Sequence, residues 1–289
     1  MSRYYRSFLE ESTAPISYLL DTYGGASSAY SLRKLSTAYS GSAIRVRRSS
    51  DNTEQNIGFS GADLDTSSLL SFVGANNGFV TTWYDQSGTN NAIQTTASNQ
   101  PQIVTSGSIN ILNGKTAINF DRDLSKYLYV NSTSVLNIQE CISTFSVANF
   151  TNTGGNYGHI VSKGYGIDGA YSLGQQSDGS NYLQVVIETE SFPLSTVVTN
   201  KNQQYLFSNT NATEANNIKL YQNNVIYGQA TTSQDLTGSN SYQFNIGRNN
   251  RDNSYYINGN IQEIVLYPTY QQTNLTAINT NINTYYAIY

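Results

Sequence analysis

The stretch that most constrains the fold is residues 255–268, YYINGNIQEIVLYP, with the run that leads into it, residues 242–248, YQFNIGR. Asn258-Gly259 predicts a tight turn, because this pair tolerates the positive φ angles that such turns need. Pro268 lacks a backbone donor and ends strand pairing. One buried face is available from four aliphatic side chains: Ile257, Ile261, Ile264 and Leu266. The stretch therefore predicts the closing edge strand of a β-sandwich.

The composition favours strands throughout the chain. Only 12% of the 289 residues are charged, while 24 Tyr and 22 Gly occur among abundant Ser, Thr and Asn. This mixture suits short strands and polar turns better than helices. The net charge of −4 provides no basic field for phosphates, so nucleic acid is excluded as an expected partner.

Targeting and cofactor signals are absent from the sequence. The first residues, MSRYYRSFLEE, lack an apolar signal core, and no run approaches the roughly 20 apolar residues of a membrane span. We therefore expect synthesis in a cytoplasm and no membrane insertion. Cys141 is the only cysteine and His159 the only histidine, so we predict neither an intrachain disulfide nor a metal site at His159, and no cofactor.

The first third of the chain contains two helix signals. Ser27-Ser28 predicts a helix N-cap, followed by Leu32, Leu35 and Tyr39 at helical spacing and ended by Gly41. Asp65 predicts a second short cap, for a helix that runs to Val73. Strands are expected at residues 44–46 and 79–84, and Asp85 is expected to open an Asx-turn.

From residue 145 onward the sequence alternates strands with polar turns, and Asn223-Asn224 fits a two-residue hairpin. Residues 273–289 carry a helical apolar stripe, widened by Ala277, Tyr286 and Tyr289 toward a partner surface. We predict an all-β, antiparallel jelly-roll sandwich with short N-terminal helices and a C-terminal helix. Residues 1–17 form an N-terminal arm and residues 18–289 one domain, with a seam near residues 99–114. Strands are expected at residues 145–150, 159–163, 171–175, 182–189, 196–199, 204–208, 218–221 and 225–229.

The end of the chain resembles concanavalin A-like lectin and laminin G-like domains, in which an Ile-Gly-Arg-like turn precedes an NG-x-I-x-E strand. This resemblance implies a concanavalin A-like sandwich. In laminin G-like domains a calcium loop often reads F-D-G-x-x-D, and this chain has Asp121-Arg122-Asp123 there. Arg122 replaces the Gly, so Asp121 and Asp123 are weak calcium candidates.

Several linked blocks resemble the catalytic domain of α-L-arabinofuranosidase B, over about residues 18–101. They are YSLRKL at 30–35, YSG at 39–41, RRSSDN at 47–52 and YDQSG at 84–88. The resemblance implies a concanavalin A-like sandwich. The same blocks also resemble proteins encoded by tailed bacteriophages, where they accompany lectin-like segments.

The arabinofuranosidase resemblance does not carry its catalytic carboxylate with it. In that family the nucleophile is a Glu in a cysteine-bearing segment, and the equivalent residues 141–166 contain no acidic residue. A retaining glycosidase needs two carboxylates about 5–5.5 Å apart. If the chain is an enzyme, the best pair is Glu188 and Glu190, which would face one side of a strand; the alternative is that both are solvent-facing strand residues.

Six residues in or directly beside the resembling blocks are candidate ligand contacts. Each also has a structural alternative: Arg47, Arg48 and Asp51 could form a buried ion-pair network, and Asp85 a turn. The candidates are Arg47, Arg48, Asp51, Trp83, Tyr84 and Asp85.

Three functions are compatible with the sequence. The preferred one is a non-enzymatic, lectin-like structural protein of a bacteriophage particle, in a head fibre, a tail fibre or a decoration subunit. It would work as a homo-oligomer on the virion surface, contact other virion proteins and host-surface glycans, and release no arabinose. The alternatives are an arabinofuranosidase-like glycoside hydrolase and a secreted carbohydrate-binding adhesion module.

Overall fold

The computed structural model describes residues 17–131, 134–138, 141–151, 158–164, 170–176, 182–187, 190–196, 205–210, 218–231, 241–249 and 255–289. The predicted arm therefore lies outside the described residues, except for Ser17. The part described is mostly β, as the composition predicts, with every paired strand antiparallel.

The helices are α1 (Leu19–Thr22), α2 (Thr66–Val73) and α3 (Leu275–Tyr286), with 3-10 turns at Ala97–Asn99 and Ser134–Leu136. The strands are β1 (Ser28–Ser31), β2 (Ile44–Arg48), β3 (Glu54–Ile57), β4 (Phe59–Ser60), β5 (Asp63–Leu64), β6 (Gly78–Trp83), β7 (Ala92–Ile93), β8 (Gln102–Thr105), β9 (Ser108–Ile109), β10 (Ile111–Leu112), β11 (Lys115–Thr116), β12 (Ile118–Phe120), β13 (Leu128–Val130), β14 (Ser143–Phe150), β15 (Gly158–Lys163), β16 (Tyr171–Gln176), β17 (Tyr182–Ile187), β18 (Glu190–Thr196), β19 (Tyr205–Thr210), β20 (Ile218–Gln222), β21 (Val225–Ala230), β22 (Phe244–Ile246) and β23 (Gly259–Tyr267).

Strand β23 lies in the interior of the sheet, so the prediction of a closing edge strand is wrong. It pairs with β14 on one side and with β1 and β12 on the other. Eight of its nine residues are buried, which is the pattern of a strand covered on both faces rather than of an edge. The pairing continues from β14 through β19 and β20 to β21.

The sheet curls around one large apolar core. From β12 the pairing passes through β8 to β6, and from β6 through β7, β13, β22, β15, β16 and β17 to β18. The core draws side chains from both ends of this path, Ile264 and Trp83 on one side and Phe244, Leu173 and Val185 on the other. The finer expectation of a jelly-roll strand order stays a prediction.

A β-bulge in β23 explains why its apolar residues do not alternate regularly. Val147 pairs with Glu263 and Ala148 with Ile261, so Gln262 is the extra residue. The bulge turns both Ile261 and Ile264 toward the core, although they are three positions apart. The predicted burial of Ile257, Ile261, Ile264 and Leu266 is confirmed.

Gly259 is required for a close approach and not for a turn. Neither Asn258 nor Gly259 has a positive φ, and Gly259 is already the first residue of β23. A Cβ atom there would lie 2.0 Å from the carbonyl oxygen of Asn149 on β14. The turn predicted at Asn258-Gly259 is therefore wrong, because strand packing selects the glycine.

The two N-terminal helix predictions have opposite outcomes. Residues 28–31 form β1 instead of a helix, since pairing with β23 buries all four of them. At α2 the expected cap is confirmed: the Asp65 carboxylate accepts the Ser68 amide proton at 3.0 Å. Local capping signals decide a helix only where no strand partner competes for the backbone.

The C-terminal helix α3 packs on the side of β14 and β23 that faces away from the large core. Leu275, Ile278 and Ile282 form a second apolar cluster with Val265 and Tyr267. Tyr286 is 2% exposed, so this part of the widened stripe is used within the chain. The homo-oligomer stays a prediction. None of the described helices has the length and apolar character that a membrane crossing requires.

Candidate functional site

Asp85 serves the fold rather than a ligand. Its carboxylate is 1% exposed and accepts hydrogen bonds from the amides of Ala29 (2.8 Å), Ser87 (2.9 Å) and Asn90 (3.1 Å). The hydroxyl of Ser87 donates a further bond at 2.7 Å. The expected Asx-turn is present, and the carboxylate has little capacity left for a substrate.

Gln86 joins two of the sequence blocks to each other. Its side-chain oxygen accepts the amide proton of Leu35 at 2.8 Å, and its nitrogen donates to the carbonyls of Ser31 and Arg33. The block at 84–88 therefore fixes the block at 30–35 through buried hydrogen bonds. Spacing alone could not reveal this, since more than 50 residues separate the partners.

Trp83 and Tyr84 also make structural contacts with the described residues. Trp83 is fully buried, with its ring centroid 5.9 Å from that of Tyr30. Tyr84 is half-buried, and its hydroxyl donates to the side-chain oxygen of Asn56 at 2.8 Å.

Arg47, Arg48 and Asp51 close a surface turn and do not form a buried ion-pair network, so that structural alternative is wrong. Arg48 lies 2.5 Å from Asp51, with 28% and 45% of the two side chains exposed. The hydrogen bond from Arg48, assisted by the Thr53 amide, lowers the pKa of Asp51. Arg47 donates to Gln100 at 2.7 Å.

The buried ion pair that the chain does contain joins Arg33 to Glu263. Arg33 Nε lies 2.7 Å and Nη2 2.9 Å from the two carboxylate oxygens, a bidentate pair with almost no exposure. Ser31 donates to the same carboxylate at 2.7 Å. Burial opposes the charge on Arg33, but attraction to Glu263 raises its pKa overall. The sequence offered no signal for this pair, whose members are 230 residues apart.

Asp121 and Asp123 form a turn. The Asp121 carboxylate accepts the amide protons of Asp123 (2.9 Å) and Leu124 (3.3 Å), while Asp123 is 80% exposed beside Arg122. Among the described residues no three His, Cys, Asp or Glu side chains gather as a metal site would require. The weak calcium assignment thus has no further ligand in that part of the chain.

Glu188 lies outside the described residues, and for Glu190 only the backbone is described. β17 ends at Ile187 and β18 begins at Glu190, with these two residues paired. The predicted shared strand face of the two glutamates therefore stays a prediction.

A row of polar side chains crosses β13, β22, β15 and β16 on the face that points away from the core. Tyr129 pairs with Asn245, Asn245 with Ser162, Ser162 with Ser172, and Ser172 with Val186 of β17. Paired residues face the same side, and their neighbours along each strand point into the core. We call Tyr129, Asn245, Ser162 and Ser172 the polar row.

Hydrogen bonds hold most of the polar row in place. Ser162 donates to the carbonyl of Arg248 at 2.8 Å, and Arg248 Nε donates to the side-chain oxygen of Asn245 at 2.9 Å. Ser172 is 4% exposed, and its hydroxyl has no hydrogen-bond partner among the described residues. Such a buried, unsatisfied group requires an explanation, and a bound ligand is one.

Aromatic rings border one end of the polar row. The guanidinium of Arg248 lies 3.6 Å from the ring centroid of Tyr127, which is 6.1 Å from Tyr129 and 6.0 Å from Tyr256. All three rings are half-buried. We call Tyr127, Tyr129 and Tyr256 the aromatic rim; half-exposed rings of this kind can stack against the apolar face of a sugar.

His159 lies beside the same row. It is 1% exposed, and burial lowers its pKa from 6.5 to about 3, so the imidazole is neutral near pH 7. Its Nε2 lies 3.3 Å from the side-chain nitrogen of Asn249, and Nδ1 has no partner among the described residues. His159 is therefore a packed histidine.

Comparison with known proteins finds one family model that matches part of the chain. The family model of the catalytic domain of α-L-arabinofuranosidase B matches residues 22–120, about a third of the chain. No curated protein matches the chain.

Solved structures of arabinofuranosidases share the fold. One, an arabinofuranosidase in complex with arabinofuranosyl-α-1,2-xylobiose, is 17% identical, with a TM-score of 0.66. Another, a GH54 α-L-arabinofuranosidase soaked with a cyclic sulfate inhibitor, is also 17% identical, with a TM-score of 0.63. Each superposition covers 91% of this chain and 64% of the other. At this identity the likeness concerns the fold.

These findings overturn the preferred functional prediction. The matching model is a catalytic domain and the similar structures are glycoside hydrolases, so the prediction of a non-enzymatic bacteriophage structural protein is wrong.

Proposed function

We propose that this chain is a glycoside hydrolase of the arabinofuranosidase type, which cleaves α-L-arabinofuranosyl groups from polysaccharides or oligosaccharides. The observation that carries the proposal is the match of a catalytic-domain model to residues 22–120. The arabinofuranosidase fold over 91% of the chain supports it.

The polar row and the aromatic rim are suited to hold the sugar. Ser162 and Asn245 are hydrogen-bonded within the chain, whereas the Ser172 hydroxyl has no described partner and supplies a donor and an acceptor in a place with little water, where hydrogen bonds discriminate strongly. The rim offers ring faces for an apolar sugar surface or for the next unit of a chain. Arg248 connects both parts, through its bond to Asn245 and its position over Tyr127.

The catalytic carboxylates are assigned to Glu188 and Glu190. The buried carboxylates Asp85 and Glu263 are occupied by structural hydrogen bonds, so neither can act as a nucleophile or as a proton donor. Val186 continues the polar row onto β17, and Glu188 follows two residues later in the sequence. One glutamate would attack the anomeric carbon, and the other would protonate the leaving oxygen and later activate water.

The test is turnover of 4-nitrophenyl α-L-arabinofuranoside by the full chain. Glu188→Gln and Glu190→Gln should each lower kcat at least about 100-fold with an unchanged melting temperature, since each removes a proton-transfer or nucleophilic group. Glu54→Gln is the matched control, because Glu54 is a partly exposed carboxylate that pairs with Arg45 at the surface and accepts a long hydrogen bond from the Thr81 hydroxyl. Full activity in both variants would move the catalytic pair elsewhere, and an inactive wild type on a panel of arabinofuranosides would refute the function.

A further inference from the structure

A cleft separate from the polar row lies between other strands and helices. It encloses about 380 Å³ between the last turn of α3, the β10–β11 hairpin, β5 and the start of α2. Its polar side carries Asp63, Lys115 and Tyr285, together with Thr66 and Thr116. Its apolar side is formed by Leu32, Leu64, Ile109 and Ile111.

The polar side chains of the cleft hold one another in place through direct contacts. Lys115 Nζ lies 3.2 Å from the Asp63 carboxylate, which also accepts the hydroxyl proton of Tyr285 at 2.5 Å. The same ammonium lies 4.0 Å from the ring centroid of Tyr285. Burial opposes ionisation of Asp63, but the hydrogen bonds from Tyr285 and Lys115 lower its pKa overall. With 58% and 34% of their side chains exposed, Asp63 and Lys115 can still reach a ligand.

The charges around the cleft cancel locally. Asp63 is paired with Lys115, and beneath the tyrosines Arg33 is paired with Glu263. A phosphate or a carboxylated ligand would meet no excess of positive charge. The chemistry favours a neutral molecule with many hydroxyl groups on one side and an apolar face on the other, which describes a saccharide.

The hairpin that forms the cleft wall is fixed from two directions. The side-chain nitrogen Nε2 of Gln262, at the bulge of β23, donates to the carbonyls of Leu112, Lys115 and Thr116, each at 3.1 Å. At the hairpin tip the side-chain nitrogen Nδ2 of Asn113 donates to the carbonyls of Tyr286 (3.0 Å) and Ala287 (3.1 Å) at the end of α3. The wall is thus held before any ligand arrives, which lowers the ordering cost of binding.

We propose that this cleft is a second, non-catalytic binding site for a neutral saccharide. It shares no residue with the polar row or the aromatic rim. The ligand class rests partly on the proposed function, because a second site on a glycan-cleaving enzyme would hold the same polysaccharide away from the point of cleavage. Two weak sites on one long substrate raise the effective affinity for it without new contacts at either site.

The test is a titration of the ¹⁵N-labelled full chain with xylobiose and with arabinofuranosyl-xylobiose, followed by amide chemical shifts. The expected result is saturable shifts at Gly114, Lys115 and Thr116. The Asp63→Asn and Lys115→Met double variant should weaken that binding about tenfold or more, since it removes two charge-assisted partners of the sugar hydroxyls. Arg45→Met, which removes another surface ion pair, should leave binding unchanged.

Hydrolysis separates this proposal from the proposed function. The double variant should retain wild-type kcat on 4-nitrophenyl α-L-arabinofuranoside but show a raised KM for polysaccharide. Shifts at the cleft without any hydrolysis would support the second site and refute the enzyme. Shifts confined to Ser162, Ser172 and their neighbours, or unchanged binding by a folded double variant, would overturn the second site even if hydrolysis is found. If the variant does not fold, the wild-type shift map alone decides.

Discussion

Two regions of the curled sheet bury polar groups, and they satisfy them differently. Beside β23, Glu263 receives two bonds from Arg33 and one from Ser31. In the polar row, Ser172 is buried without a described partner, as is Nδ1 of His159. The Arg33–Glu263 network is closed, although the hydroxyls of Ser28 and Ser146 beside β23 also lack a described partner. In the second region the unused hydrogen-bonding capacity lies at Ser172 and His159. We attribute that unused capacity to substrate binding.

The family match falls on the closed region and not on the candidate site. Residues 22–120 include Arg33 and the Asp85 turn, whereas every member of the polar row and the aromatic rim lies beyond residue 120. The family match therefore concerns part of the scaffold. The residues that we assign to sugar binding and catalysis in the proposed function lie in segments that the family model does not match.

The largest expected effect comes from opening the closed network. Glu263→Gln leaves Arg33 buried without a counter-charge and should lower the free energy of unfolding by about 3–5 kcal/mol. Arg45→Met removes a partly exposed pair and should cost no more than about 1 kcal/mol. Urea denaturation measures both, and a Glu263→Gln variant as stable as Arg45→Met would show that the network does not hold the fold.

The next-largest loss of stability is expected from the apolar core that both regions share. Ile264 is fully buried between them, so Ile264→Asn should cost about 2–4 kcal/mol through lost apolar burial and an unsatisfied amide. Thermal denaturation provides the measurement. A melting temperature equal to that of the wild type would place Ile264 at the surface and contradict the described bulge.

The region of the polar row, which includes His159, should make the free energy of unfolding depend on pH. Unfolded His159 takes up a proton near pH 6.5, whereas the folded imidazole stays neutral down to about pH 3. Stability should therefore fall as the pH drops below 6.5, with a slope approaching about 1.4 kcal/mol per pH unit below pH 6. His159 is the only histidine in the chain, so this slope between pH 5 and 6.5 should vanish in His159→Asn. A slope that persists in the variant would assign it to other groups.

The smallest effects are expected from a serine-to-alanine substitution, made once in each region. Ser31→Ala breaks the bond to Glu263 and should cost about 1–3 kcal/mol. Ser172→Ala removes a hydroxyl without a described partner and should change stability by less than about 1 kcal/mol while raising KM. Equal losses of stability, or an unchanged KM for Ser172→Ala, would remove the distinction between the regions.

Parts of this fold could be predicted because short-range physics decides them. Asp65 caps α2 through a bond to an amide three residues away. Asn223 and Asn224 both have positive φ, as the predicted hairpin turn requires. The apolar stripe of α3 predicts its buried face at Leu275, Ile278 and Ile282. In each case the partner is nearby in sequence, or any apolar surface suffices.

The candidate site could not be predicted in the same way. Ser162, Ser172 and Asn245 are ordinary polar residues of short strands, and nothing in their spacing marks them. They form one row because β22 pairs with β15, and β15 with β16, in a specific register. A shift of one residue would point them into the core.

The sequence by itself determined that the chain is mostly β, where α2 and α3 lie, and that Ile257, Ile261, Ile264 and Leu266 are buried. Tertiary structure alone decided that residues 28–31 form a strand, that Gly259 permits a close approach to Asn149, and that Arg33 meets Glu263. The physical reason is range. Backbone propensity and apolar periodicity act over a few residues, whereas strand pairing and buried charge pairing depend on partners more than 200 positions away, 238 for Ser28 with Leu266 and 230 for Arg33 with Glu263.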